Sequence, residues 1–186
     1  GGGGGGAEQT GKLGLRFDRM AFENDGRFRV TEIIELGPTH IDGSIEVGDY
    51  IVEVNGTALS GSANINEILA GTPGEKVNVR VADNANGSNA RDVELQPIST
   101  GAERQLVYRS WVESRRAYVD ELSDGRLGYV HIASMSQGAL DQLIFDLDQG
   151  NHGKEGVVVD VRNNNGGFVN VYAIDILSRR NYFTME

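Results

Sequence analysis

The chain has 186 residues, of which 39% are hydrophobic, and a formal net charge of −10 at pH 7. This length and composition suit one large or two small domains, and the acidic balance argues against binding to a nucleic-acid backbone. There is no cysteine, which excludes disulfides, and the three histidines His40, His131 and His152 are scattered, so neither a metal site nor a cofactor is expected.

The start of the chain differs from the rest in composition. It begins on six glycines without Met, so residues 1–10 are interpreted as a tag, a linker or a disordered segment, and we expect the chain to come from a longer protein. No stretch approaches the roughly 20 apolar residues of a membrane span, so no membrane is expected as a partner.

A second shift in composition, at residues 97–102, predicts a joint between two parts of the chain. In the first part, residues 13–17 alternate apolar and other side chains as a strand does. The pair Asp25-Gly26 predicts a hairpin turn, and residues 28–33 predict the returning strand. Residues 37–42 then predict a turn and a short helical piece.

The rest of the first part continues this pattern of short elements. Residues 50–54 predict a strand that is closed by the strong turn pair Asn55-Gly56. Alternating valines at residues 77–81 and apolar residues at 93–95 predict the last two strands. Between the Asn55-Gly56 turn and the strand at 77–81, Ser62 is the predicted cap of a short helix, whose apolar positions are Ile65, Ile68 and Leu69.

This order of elements resembles a PDZ domain of the bacterial protease type. The motifs that carry the resemblance are Leu13-Gly14-Leu15, Gly37-Pro38, residues 45–56 and residues 73–77. The resemblance implies a small α+β sandwich with two short helices over residues 11–98, which would hold an extended peptide end.

In such a domain, the loop Leu13-Gly14-Leu15 would bind the carboxylate of the peptide, because several backbone N–H groups must converge on one anion. Gly14 would let the chain turn there, and the peptide would add as a strand beside residues 15–17. The helix that carries Ile65 and Leu69 would form the other wall of the groove. An edge strand with a glycine bulge, and no ligand, remains the alternative.

The second part of the chain has longer helical periods. Apolar positions within residues 106–122 recur at steps of three and four and predict an amphipathic helix. A strand at 127–132 and a helix that begins at Ser136 or Gln137 are predicted to follow. Residues 156–161 form an apolar run typical of a strand that is buried on both faces of a parallel sheet. A glycine turn at 163–167 leads into a last helix with apolar positions Phe168, Val171, Ile174 and Leu177.

Four segments of this part are similar to the core domain of tricorn proteases, serine peptidases related to the tail-specific or carboxy-terminal processing peptidases: residues 108–113, 116–119, 128–132 and 159–169. The resemblance implies a truncated α/β core of the ClpP or crotonase type over residues 99–186. It also implies that Gly166 and Gly167 form part of an oxyanion hole, with Gly166 preferred. Because Asn165 stands where the family has a third glycine, the choice of N–H stays open, and an ordinary strand-to-helix turn is the alternative.

The catalytic residues of the family fall outside this sequence. The resemblance places the nucleophilic serine and a glutamate after this stretch, and the histidine before the PDZ domain. Ser134, Ser136 and Ser178 do not match the nucleophile motif, and His131 is interpreted as a structural residue of the sheet. We therefore predict that the chain is part of a serine peptidase and is inactive by itself.

The expected partners are a peptide or protein substrate and the rest of the peptidase chain, and the family implies an oligomeric parent protein. The resemblance implies a cytoplasmic location, or a periplasmic or secreted one if a signal segment was removed. A non-catalytic PDZ module for peptide binding or scaffolding is the competing prediction. A third and less favoured one is a relative that has lost catalysis and binds apolar ligands.

Overall fold

The computed structural model describes residues 9–151, 153–168 and 170–178. The chain divides into two compact units, of which the first ends at Ser110 and the second begins at Trp111. The elements are, in chain order, β1 (Gly11–Lys12), β2 (Leu15–Phe17), α1 (Arg19–Asp25), β3 (Phe28–Ile33), α2 (Pro38–Asp42), β4 (Tyr50–Val54), β5 (Thr57–Ala58), α3 (Ile65–Ile68), β6 (Val77–Ala82), β7 (Arg91–Leu95), β8 (Ile98–Ser99), α4 (Thr100–Leu122), β9 (Leu127–His131), α5 (Gln137–Phe145), a π-helix (Asp146–Gly150), β10 (Gly156–Asp160) and α6 (Asn170–Ser178).

An antiparallel sheet in the order β2-β3-β4-β6-β7 organises the first unit, with β5 paired to β4. A second, two-stranded sheet joins β1 to β8, with Gly11 opposite Ser99 and Lys12 opposite Ile98. Strand β2 is the edge of the larger sheet, because one side pairs with β3 and no strand in the described ranges pairs with the other. This open edge positions the first candidate site.

The core of the first unit follows from the alternation of side chains along its strands. Val77, Val79 and Val81 on β6 are at most 1% exposed, while Asn78 and Arg80 between them face solvent. Branched apolar side chains at every second position pack well on one face of a sheet. They join buried residues of the neighbouring strands in one continuous core.

The hairpin turn predicted at Asp25-Gly26 is wrong, because the helix α1 occupies this stretch. Its first turn is capped by Asp18, whose Oδ1 accepts hydrogen bonds from the N–H groups of Met20 at 2.9 Å and Ala21 at 3.1 Å. Gly26 ends the helix in the left-handed region, with φ of 66°. A hairpin turn and a helix end both require positive φ near a glycine, so the Asp-Gly pair fits either structure.

The short helix α3 is present as predicted, but its cap is Asn64 and not Ser62. The Asn64 side-chain oxygen accepts the N–H two residues further on at 3.1 Å, and Leu69 lies at the C-terminal end of the helix. Asparagine caps helices as well as serine does, and Asn64 stands directly before the first helical residue.

Helix α4 begins at Thr100, six residues before residue 106, where the apolar pattern of the sequence predicts its start. The Ser99 hydroxyl oxygen accepts a hydrogen bond from the N–H of Ala102 at 3.2 Å. Glu103 therefore falls in the first turn, where a negative charge is favourable. This placement brings Glu103 into the first unit.

In the second unit, β9 and β10 pair in parallel, from Leu127 opposite Gly156 to His131 opposite Asp160. Helix α5 lies between them in sequence and is capped by Ser136, whose hydroxyl accepts a hydrogen bond from the first turn. The order strand, helix, strand, turn, helix agrees with the prediction for this part. The small core consists of Val130, Ile132, Leu140, Leu143 and Ala173.

The second unit exposes more apolar surface than the sequence predicts. Val158 on β10 is 39% exposed, although residues 156–161 suit a strand buried on both faces. On α6, Val171 and Ile174 are exposed and Ala173 is the buried position, while Phe168 precedes the helix and is also exposed. The physical reason is that β9 is the only strand that pairs with β10 in the described ranges, so there is too little structure to cover both faces. None of the described helices is long and apolar enough to cross a membrane.

Candidate functional sites: a strand-edge groove and a glycine turn

The loop before β2 holds its carbonyl groups inside the first unit. The Leu13 carbonyl oxygen accepts hydrogen bonds from the Thr39 hydroxyl at 2.8 Å and from the Thr39 N–H at 3.2 Å. The Gly14 carbonyl oxygen accepts the N–H of Ile34 at 2.8 Å. Thr39 is fully buried, so the position of this loop is fixed from within the core.

The same bonds determine where the N–H groups of the loop face. In a trans peptide unit, the C=O and the following N–H point in opposite directions. The N–H of Gly14 therefore faces away from Thr39, and the N–H of Leu15 faces away from Ile34. In the described ranges, the N–H groups of Leu13 and Gly14 donate no hydrogen bond. Buried backbone donors nearly always have an acceptor, so this loop has donors available for an anionic ligand.

Gly14 is suited to this loop by its conformation. Its φ is 75°, a backbone conformation that residues with a Cβ rarely adopt. An added Cβ would lie 3.3 Å from both Gly37 Cα and Pro38 Cδ. The predicted residues Leu13, Leu15, Ile65 and Leu69 line one groove of about 170 Å³, whereas Gly14 is buried and is not one of its lining residues. The structure thus brings the predicted groove residues together.

Charged and polar side chains that the sequence patterns do not reveal also line this groove. Lys12 donates a hydrogen bond from Nζ to the side-chain oxygen of Asn66 at 2.8 Å. Arg16 Nη1 lies 3.0 Å from Glu103 Oε1 and donates to the Leu15 carbonyl oxygen at 3.1 Å. No local motif could indicate the pair of Arg16 and Glu103, because the two residues are 87 positions apart in the sequence.

The glycine turn of the second unit is attached to the segment that follows β9. Asn164 donates from its side-chain nitrogen to the Ile132 carbonyl oxygen at 2.8 Å. The N–H of Asn165 donates to the Ala133 carbonyl oxygen at 3.1 Å, and Met135 N–H donates to the Gly166 carbonyl oxygen at 2.8 Å. Three successive residues of the turn are therefore fixed against the same neighbouring segment.

The two glycines of this turn differ in their hydrogen bonds and in the space around them. The N–H of Gly166, preferred from the sequence, donates to the Asn164 side-chain oxygen at 2.7 Å. The N–H of Gly167 has no acceptor in the described ranges, and it faces away from the bond that holds the Gly166 carbonyl. Gly167 has φ of 143°, and an added Cβ would lie 2.0 Å from the Met135 carbonyl oxygen. Only glycine fits at position 167.

A charge cluster around the buried Asp160 fixes the start of the turn. Asp160 accepts hydrogen bonds from Arg162 Nε at 3.0 Å, from the Arg162 N–H at 2.9 Å and from the Tyr129 hydroxyl at 2.8 Å. These bonds, above all those from the guanidinium, hold the pKa of Asp160 well below its usual range. Burial, with the hydrogen bond to Asp160, raises the pKa of Tyr129 to about 12. Asp160 is therefore ionised and Tyr129 neutral at neutral pH.

The serine and histidine side chains considered as catalytic groups make local contacts. The hydroxyls of Ser134 and Ser136 lie 3.0 Å apart, and the Ser178 hydroxyl donates to the Asp175 carbonyl oxygen at 3.1 Å. His131 Nε2 lies 2.9 Å from the Arg162 carbonyl oxygen, and its ring packs edge-on against Trp111. Among the described residues there is no cluster of acidic or histidine side chains that could hold a metal ion.

Two sequence-family models match the chain. The model of the Tricorn protease PDZ domain matches residues 11–100, which include the groove. The model of Peptidase family S41 matches residues 126–181, which include the glycine turn.

Individual proteins show the same similarity over a longer stretch. Tricorn protease homolog 1 from Streptomyces coelicolor is 34% identical over 189 residues, covering 97% of this chain and 17% of the relative. The tricorn protease of Thermoplasma acidophilum is 32% identical over 146 residues, covering 78% of this chain and 13% of the relative. A crystal structure of the tricorn protease superposes with a TM-score of 0.70 at 26% identity, over 92% of this chain and 17% of that one. The chain spans about a sixth of the length of these relatives or less.

Proposed function

Because this chain belongs to the tricorn-type peptidases, we propose that it contributes two sites to a serine endopeptidase: a groove for a peptide carboxy terminus and a backbone donor for the oxyanion. The observation that carries this proposal is common to both sites. In each, carbonyl groups of a glycine loop are bonded into the fold while an N–H of the same loop has no acceptor in the described ranges.

In the groove, the N–H groups of Leu13, Gly14 and Leu15 would bind the terminal carboxylate of the peptide. The apolar side chain of the last peptide residue would enter between Leu15 and Leu69. The peptide backbone would continue along the open edge of β2 as an added strand. Residues 11–98 are accordingly assigned to a PDZ domain, for which the matched family model and the order of the strands are the support.

In the glycine turn, the N–H of Gly167 would stabilise the negative charge on the carbonyl oxygen of an acyl-transfer intermediate. One such donor typically contributes about 3 kcal/mol to the stabilisation of the transition state. Gly167 replaces Gly166 as the preferred donor, since the Gly166 N–H is engaged by Asn164 at 2.7 Å. Residues 99–186 are assigned to the beginning of a ClpP- or crotonase-like core, whose nucleophile would come from another part of the parent protein.

Peptide binding is tested with the 186-residue chain and a fluorescein-labelled peptide that ends in a free carboxylate. Its amidated form should bind at least tenfold more weakly, because the carboxylate supplies the anion for the loop. Gly14→Ala should weaken binding of the free acid, whereas Gly43→Ala is the matched control, since Gly43 has a similar φ of 76° with no atom near an added Cβ. Equal binding of the acid and the amide would exclude the carboxylate loop.

Peptidase activity is tested by comparing this chain with the full-length protein from the same gene on a fluorogenic peptide. We expect turnover by the full-length protein and none by the chain, because Ser134, Ser136 and Ser178 have no nucleophile motif. Turnover by the chain alone would contradict this assignment. A purely non-catalytic PDZ module is not favoured, since the second unit matches a peptidase family. A cytoplasmic location and an oligomeric parent remain proposals from the resemblance.

A further inference from the structure

The groove beside β2 contains an ion pair whose arginine also donates a hydrogen bond to a backbone carbonyl oxygen. Arg16 Nη1 lies 3.0 Å from Glu103 Oε1, and the same nitrogen donates to the Leu15 carbonyl oxygen at 3.1 Å. Glu103 is only 6% exposed, although it is a charged residue. Buried carboxylates need a partner, and the partner of Glu103 is a side chain on the strand edge.

The register of the sheet shows that this acceptor belongs to the open edge. Leu15 stands opposite Ile33, and the Gly14 carbonyl oxygen accepts the N–H of Ile34 at 2.8 Å. In an antiparallel pair, this bond pattern makes Leu15 and Ile33 a non-hydrogen-bonded pair, so the N–H and C=O of Leu15 face away from β3. A peptide that adds to β2 would bond to these two groups first. Arg16 therefore covers an acceptor that the peptide needs.

The same register determines which peptide residue Arg16 would contact. A peptide whose carboxylate lies at the loop Leu13-Gly14-Leu15 runs antiparallel to β2, with its last residue opposite Leu15. Its penultimate residue then stands opposite Arg16, and directly opposite residues in an antiparallel pair place their side chains on the same face. The penultimate side chain would thus occupy the surroundings of the Arg16 guanidinium.

We propose that the groove selects peptide carboxy termini whose penultimate residue is acidic, and that Glu103 is the internal carboxylate which such a peptide displaces from Arg16. This inference rests on the proposed peptide-binding function of the groove. The charged side chains that line the groove in the described ranges are Lys12, Arg16 and Glu103, so Glu103 is the internal carboxylate with which a peptide carboxylate would compete for Arg16. An acidic penultimate side chain gives Arg16 a carboxylate partner in place of Glu103, and a neutral one does not.

Glu32 provides an internal comparison for this assignment. It stands opposite Arg16 on β3 and is exposed, yet the described ion pairs of Arg16 include Glu103 and not Glu32. The Arg16 guanidinium is thus directed to the groove. Glu32→Gln removes the same charge as Glu103→Gln close to Arg16 without removing the ion pair.

The first experiment uses the 186-residue chain and two labelled peptides with free carboxylates, identical except for glutamate or glutamine at the penultimate position. We expect the glutamate peptide to bind roughly two- to fivefold more tightly, the range for a partly exposed ion pair, since the Arg16 side chain is 44% exposed. Arg16→Met should abolish the difference between the peptides, and Arg16→Lys should retain part of it. Equal affinities of the two peptides for the unsubstituted chain would overturn the inference.

The second experiment tests the displacement of Glu103. Glu103→Gln should raise the affinity of both peptides roughly two- to fivefold, because the charge that competes for Arg16 is lost. Glu32→Gln should leave both affinities within about the error of the titration. An equal increase in both variants would mean that net charge, and not the ion pair, is responsible. If neither peptide binds to any variant while thermal unfolding shows a folded chain, the proposed groove function itself is refuted.

Discussion

Gly166 and Gly167 allow a matched test of the turn geometry by alanine substitution. Both have positive φ, 77° and 143°, so each alanine carries backbone strain of about 1 to 2 kcal/mol. At Gly166 no atom lies within 4 Å of an added Cβ, whereas at Gly167 the Met135 carbonyl oxygen would be at 2.0 Å. The Met135 segment would have to move, which adds about 1 to 3 kcal/mol. We therefore expect Gly167→Ala to reduce the free energy of unfolding by about 2 to 5 kcal/mol and Gly166→Ala by about 1 to 2.

The assay can use the single tryptophan of the chain. Trp111 lies in the second unit, with its ring centroid 4.9 Å from that of His131, so its fluorescence reports on unfolding of that unit in urea. The midpoint for Gly167→Ala should fall clearly below that for Gly166→Ala. Equal midpoints for the two variants would mean that the turn does not approach Met135 as closely as the structure shows, which would contradict the requirement for glycine at position 167.

Two further predictions concern the residues that fix each site. Thr39→Val removes one of the two hydrogen bonds to the Leu13 carbonyl oxygen, so thermal unfolding should show a free energy of unfolding lower by about 1 kcal/mol, and titration should show weaker peptide binding. Thr31→Val, at an exposed position, is the control, and an equal loss of stability there would contradict the prediction. Hydrogen bonding to Arg162 lowers the pKa of Asp160 in the folded state. The ionised Asp160 therefore stabilises the fold at pH values above the carboxyl pKa of the unfolded chain, near 4, and this stabilisation is lost as the pH falls below that pKa. Asp160→Asn should remove this part of the loss in urea unfolding between about pH 5 and about pH 2, and an unchanged pH profile would refute the prediction.

Several elements of the first unit are predictable because local sequence alone determines them. Along β6, the alternation of valines with Asn78 and Arg80 matches the period of a strand and is confirmed by burial. The turn after β4 is likewise predictable, since Asn55 and Gly56 adopt φ of 48° and 78°, values that these residue types favour. Such features need no information from distant parts of the chain.

Other features depend on contacts that a sequence pattern does not contain. The choice between a hairpin and α1 depends on the helix cap at Asp18 and on Phe22, whose ring packs 5.1 Å from that of Phe28. The ion pair of Arg16 and Glu103 joins residues on a strand edge and on a later helix. These contacts are set by the folded arrangement, so the groove was predictable as an apolar site but not in its charges.

The two proposed sites use glycine for the same physical purpose. At the first, Thr39 bonds the Leu13 carbonyl, and this turns the N–H of Gly14 in the opposite direction; at the second, Met135 bonds the Gly166 carbonyl and turns the N–H of Gly167. In both, a side chain on the glycine would approach the neighbouring backbone, at 3.3 Å in the first site and 2.0 Å in the second. The bond to the carbonyl fixes the direction of the donor, and the glycine permits the close approach that the bond requires. A donor whose direction is set before binding needs no reorganisation when an anion arrives, which is the property that both a carboxylate site and an oxyanion site require.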